Sequence, residues 1–74
     1  MKITTIVESP EHGAHAAFYR VSRVEASGAE LILTAGDSEG MVPVGKHGDE
    51  RQAHSAAYAA ASIWLGNYLE ALRR

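Results

Sequence analysis

Four histidines, His12, His15, His47 and His54, and the carboxylates Glu8, Glu11, Asp37, Glu39 and Asp49 are the side chains of this 74-residue chain with the widest chemical reach. Imidazole nitrogens and carboxylate oxygens are zinc ligands, and His12-Gly-Ala-His15 supplies one pair while His47, His54 and Asp49 cluster later in the chain. Neither spacing is a zinc signature, and the chain has no cysteine. The expectation is solvated histidines without a bound metal or cofactor, whose titration near neutral pH tunes an interface. For catalysis the tools are a histidine with Ser9, Ser38 or Ser55, or the carboxylate pair Asp37 and Glu39. A hydrolytic site needs nucleophile, base and orienting group held rigidly around a pocket, and a chain this short encloses little interior. The chain therefore reads as non-enzymatic, with a small metal-binding or enzymatic domain using the histidines as a second alternative.

Two further patterns invite a nucleic-acid or nucleotide reading. Gly40-Met-Val-Pro-Val-Gly45-Lys46-His47 has the G-x-x-x-x-G-K spacing of a phosphate-cradling loop, but His47 stands where a magnesium-binding Ser or Thr is required and Pro43 removes an amide donor. It reads as a connection whose glycines take positive φ. Phe18, Tyr19 and Arg20, with Arg23, have the aromatic-plus-basic mix that strands use to stack bases. Against this, the net charge is −2, and residues 1–50 hold eight carboxylates against four lysines and arginines. Direct nucleic-acid binding is not expected. An acidic surface is instead steered toward a basic partner.

The elements that must position these groups are legible from periodicity. Residues 2–8 alternate, with Ile3, Thr5 and Val7 on one face and Lys2, Thr4, Ile6 and Glu8 on the other, which predicts a first strand. Ser9-Pro10-Glu11-His12-Gly13 is turn chemistry. Residues 16–25 predict a second strand, with a slip in alternation between Val21 and Val24 that suggests a bulge. Residues 26–29 fit a hairpin connection, 30–35 a third strand antiparallel to the second, 36–40 a polar turn, and 41–44 a short proline-limited edge strand. From Gly48 to Arg74 the chain reads as one long helix. Asp49 serves as N-cap with Gln52 three positions on, and Ala53, Ala57 and Ala61 form a small-residue seam. Ile63, Trp64, Leu65, Tyr68, Leu69 and Leu72 add apolar mass, with Trp64 and Tyr68 expected to pack on the strand aromatics.

The predicted fold is one α+β domain over residues 1–74: a three- to four-stranded antiparallel sheet with one long C-terminal helix packed on one face, in the order β-β-β-(β)-α. A helix of about 25 residues runs roughly 37 Å at 1.5 Å per residue, longer than a small sheet is wide. Either Gly66-Asn67 kinks or ends it, or the overhang meets a second copy, so both monomer and homodimer are open. No run approaches the roughly 20 apolar residues of a membrane span, and the lack of cysteine and of an apolar leader implies a cytoplasmic setting.

The run Thr5-Ile-Val-Glu-Ser-Pro-Glu-His-Gly13, with the strand order and alanine-rich helix, resembles small phage-encoded anti-CRISPR proteins directed at type I systems. That resemblance implies an inhibitor that occupies a surface of the CRISPR surveillance complex, often a basic nucleic-acid-binding one, with no catalytic residues. On that reading Glu8, Glu11, Asp37 and Glu39 form the binding set. The segments Gly-Asp-Glu-Arg-Gln-Ala at 48–53 and Asn-Tyr-Leu-Glu-Ala-Leu at 67–72 resemble the helix of HicB-type antitoxins. This alternative implies tight association with a small toxin ribonuclease.

Overall fold

A computed structural model describes every residue except His12, and for Pro10 and Glu11 it describes the backbone alone. Four strands, β1 (Lys2–Glu11), β2 (Ala14–Val24), β3 (Glu30–Ile32) and β4 (Val42–His47), precede the helix α1 (Glu50–Leu72). The sheet is antiparallel throughout, and α1 lies on one of its faces, an α+β architecture of two layers. β2 is the central strand. β1 pairs along one edge of it, while β3 and β4 follow one another along the other, β3 on the Ser22–Val24 end and β4 on the His15–Tyr19 end. No described helix is long and apolar enough to cross a membrane.

β3 and β4 act as one strand interrupted by a closed excursion at residues 35–40. Leu33 N donates to Val21 O, extending β3's ladder, and the Thr34 hydroxyl donates to Gly40 O at 2.6 Å while accepting from Val21 N. Asp37 N donates to Met41 O. Two glycines make this neck possible: a Cβ on Gly36 would stand 2.1 Å from Met41 O, and Gly40 has φ +77° with Ile32 Cγ2 2.3 Å from where its Cβ would lie. Any other residue at either position collides with its neighbours.

Ile3, Thr5 and Val7 of β1 and Ala17, Tyr19 and Val21 of β2 face the helix. Ala17, Tyr19 and Val21 are buried there, with Ile3, Val7, Leu33, Val42 and Val44 around them. From α1 come Ala53, Ala57 and Ala61, all fully buried, so the seam at spacing four sits on the chain's own sheet. Alanine lets the helix backbone approach the sheet closely, and close packing restores the dispersion contacts that small side chains forgo. Asp49 caps the helix, its Oδ1 accepting from Arg51 N at 2.7 Å.

Several expectations are corrected. The register from Ser22 to Val24 is unbroken, so there is no bulge between Val21 and Val24; irregularities lie between Glu8 and Glu11 and between Ala16 and Phe18. Val24 breaks the apolar alternation because it is exposed on the far face. Of the strand aromatics only Tyr19 is on the helix side, in the core cluster that Trp64 packs against; Phe18 lies on the far face, and Trp64 also stacks on Tyr68 of its own helix, 5.2 Å between centroids and 11° from parallel. β4 begins one residue later and runs three residues further than the short edge strand expected, and it joins β2. The helix passes Gly66 and Asn67 without a break.

Candidate protein-binding surface

The four carboxylates singled out in the sequence fall in two places. Glu8 ends the regular part of β1, exposed and opposite Ala16. Glu11 follows in the same hairpin, its side chain outside the described residues. Asp37 and Glu39 sit in the excursion on the other side of β2, beside Arg20. The sheet thus brings Asp37 and Glu39 together but separates them from Glu8 by the width of β2 and several residues along it.

Asp37 and Glu39 also do different work. Asp37 Oδ1 accepts from Glu39 N at 2.9 Å and from Met41 N at 3.0 Å, and Gly40 N donates to Asp37 O. A short acid satisfying backbone donors two and four residues on is turn chemistry, so Asp37 holds the excursion's shape. Glu39 presents its carboxylate to solvent, while its carbonyl accepts from Arg20 Nη1 at 3.5 Å.

Electrostatics on this side of the sheet depend on where the cations are committed. Arg20 Nη2 lies 3.5 Å from Glu30 Oε1, Lys2 Nζ 3.6 Å from Glu30 Oε2, and Arg23 Nη2 3.0 Å from Glu25. Ser22 Oγ donates to Glu30 at 2.6 Å. The Ser22 hydrogen bond foremost, then the Lys2 and Arg20 charges, hold the Glu30 carboxyl below its ordinary value against some desolvation. Three of the four cations in residues 1–50 are therefore engaged by Glu25 and Glu30, whereas Glu8 and Glu39 have no ion-pair partner among the described residues. Lys46, the fourth cation, stands opposite Ala16 on β4, across β2 from Glu8, so among the described residues the carboxylate with no uncommitted cation near it is Glu39 with its neighbour Asp37.

Two histidines become cross-strand neighbours, since the β2–β4 register sets His15 opposite His47, while His54 stands apart on α1. His15 Nδ1 shares a 2.7 Å hydrogen bond with Ser9 Oγ, His54 Nδ1 shares one of 2.8 Å with Thr5 Oγ1, and His47 Nε2 lies 3.2 Å from Val44 O. His12 lies outside the described residues. Among the described residues no three histidine or acidic side chains meet as a metal site. Ser9 and His15 have the distance of a nucleophile–base pair, but His15 has no second hydrogen-bond partner among the described residues to orient it. The aromatic platform is not assembled either, because Tyr19 is buried beneath α1 while Phe18 faces away.

Sequence reasoning missed the Lys2–Arg20–Ser22–Glu30 cluster. Its members are far apart in the chain and become neighbours only through the register that sets Lys2 opposite Ser22 and Val24 opposite Glu30. Comparison with protein-family models, curated proteins and solved structures finds no match.

Proposed function

We propose that this chain is a non-enzymatic protein-binding inhibitor, encoded by a phage or mobile element and acting in the host cytoplasm, that occupies a basic surface on its target with exposed carboxylates. The observation that supports it most is the commitment of Lys2, Arg20 and Arg23 to internal ion pairs while Glu8, exposed in β1, and Glu39, exposed in the 35–40 excursion, have no ion-pair partner among the described residues. Such a surface gains attraction to a basic partner without losing internal neutralisation. The resemblance of residues 5–13 to type I anti-CRISPR proteins names the partner class: a subunit of a CRISPR surveillance complex that normally holds nucleic acid.

The experiment is binding to purified type I surveillance complexes at low and high salt, with wild type and Glu39→Lys. Glu39 is chosen because its side chain makes no internal bond, whereas replacing Asp37 would also loosen the turn. Roughly ten-fold weaker binding of Glu39→Lys near 50 mM salt, closing as salt rises, is the expected result. Unchanged affinity at low salt removes Glu39 from the interface.

One observation favours the antitoxin alternative. The segment 67–72 that resembles HicB helices carries Leu69 and Leu72 exposed beyond the sheet, where a partner protein could cover them. Co-purification with a small basic ribonuclease encoded beside it, and no capture by surveillance complexes, selects that reading.

A further inference from the structure

β1 is the outer strand of the sheet, and no described segment pairs with its second edge. Edge strands in soluble proteins are usually blunted by proline, bulges or inward-pointing charge. β1 has such devices only at its ends: Lys2 at one, and Pro10 with the register shift after Glu8 at the other. Between them Ile3-Thr-Thr-Ile-Val7 is uncharged and free of proline and glycine, a stretch of open backbone donors and acceptors.

The order of residues in this strand is self-complementary. Aligned antiparallel with itself about Thr5, the strand places Lys2 against Glu8, Ile3 against Val7, Thr4 against Ile6 and Thr5 against Thr5. Every pair shares a face: Lys2, Thr4, Ile6 and Glu8 lie on the uncovered side of the sheet, Ile3, Thr5 and Val7 on the helix side. A one-residue slip would put the helix-side set against the far-side set. Sliding two residues one way sets Lys2 against Pro10, which has no N–H to donate, and Glu8 against Thr4; two the other way sets Lys2 against Ile6 and leaves Glu8 with no residue opposite, so neither slip keeps a Lys–Glu pair.

We propose that β1 is a homodimer interface, two copies joining antiparallel through this edge with Lys2 of each opposite Glu8 of the other. The two-fold axis then stands perpendicular to the sheet at Thr5, the contact is isologous, and one continuous antiparallel sheet carries both helices on the same face. The interface draws on Lys2, which within one chain lies 3.6 Å from Glu30, and on Glu8, so in the dimer Lys2 is shared between Glu30 and the other copy's Glu8, and Glu39 is the carboxylate left for a target.

Sedimentation velocity over a concentration series tests it with charge reversals. Glu8→Lys faces lysine with lysine at both ends of the interface and should weaken the dimer about ten-fold or more, as should Lys2→Glu. Mixing the two variants should restore association as a heterodimer, because each reversed charge then meets its opposite. Thr5→Cys supplies the register. Its thiol faces its own copy across the axis, with opposed Cα atoms about 4.5–5.5 Å apart, inside the disulfide range, and should cross-link under mild oxidation. Glu8→Cys, about 20 Å from its symmetry mate along the strands, should not. A chain that stays monomeric to about 1 mM overturns the proposal. So does a dimer indifferent to both reversals, as one built on Leu69 and Leu72 would be, or equal cross-linking of the two cysteine variants.

Discussion

The two ends of α1 are built from the same apolar periodicity and meet opposite fates. In the first three turns Ala53, Ala57 and Ala61 are fully buried against β2 and its neighbours, while further on Ile63 is 67%, Leu69 43% and Leu72 65% exposed. Helical phase continues through the change: Trp64, Leu65 and Tyr68 follow the sheet-facing stripe and stay half-buried, the first two against the core, and cover has ended by Leu72. The helix of 23 residues spans about 35 Å at 1.5 Å per residue. Ile63 and Leu69 are exposed because they point away from the seam, whereas Leu72 lies close to its phase and is exposed because nothing lies opposite, so burial on that stripe follows from what faces it.

That contrast can be broken or sharpened by urea denaturation of single variants. Ala57→Leu should have the largest effect, destabilising by about 1–3 kcal/mol, because the added methylenes have no space between helix and sheet. A neutral result would mean that the seam is loosely packed. Asp49→Ala removes the bond to Arg51 N at the proximal end and should cost about 1 kcal/mol. Gly66→Ala should raise stability by about 0.5–1 kcal/mol, since a Cβ there meets nothing within 4 Å and glycine is entropically costly inside a helix. Leu72→Ala should change stability by less than about 0.5 kcal/mol, and a larger loss would show the distal end covered.

Acid should act away from the helix, on the β2–β3 end of the sheet. The Glu30 carboxyl titrates below its ordinary value, so the contribution of its contacts is fully present above the unfolded glutamate value of about 4.3 and is lost as pH falls through the lower folded one. Ser22→Ala should move the NMR titration of Glu30 upward, because the Ser22 hydroxyl is the largest cause of the depression. An unmoved titration would assign the effect to Lys2 and Arg20 alone.

Local signals made much of this architecture legible. The N-cap, the alanine seam and the inward trio Ile3, Thr5 and Val7 depend on spacing within one element, which the sequence displays directly. The turn at 26–29 is also as expected, with Gly28 at φ +88°. What escaped depends on register. Nothing in residues 30–44 says that two short strands share one edge of β2, because that arrangement requires Gly36 and Gly40 to pinch the excursion and Thr34 to bridge it. The assignment of Phe18 to the far face likewise follows from parity with Tyr19, whose burial no single residue announces. At the candidate surface, the acidity of residues 36–40 was plain, but the division of labour between Asp37 and Glu39 was not, because it depends on which backbone amides the folded turn points at each carboxylate.

The pinched neck at Thr34 and Met41 has a practical corollary. Its two feet stand in the same strand file, so the polypeptide between them is topologically a handle whose length the rest of the molecule does not sense. A foreign epitope spliced into the crown at Ser38, with Gly36, Asp37 and Gly40 retained, would give up the Asp37–Glu39 bond yet keep the Thr34–Gly40 closure at the base, making that point a natural place to attach a reporter.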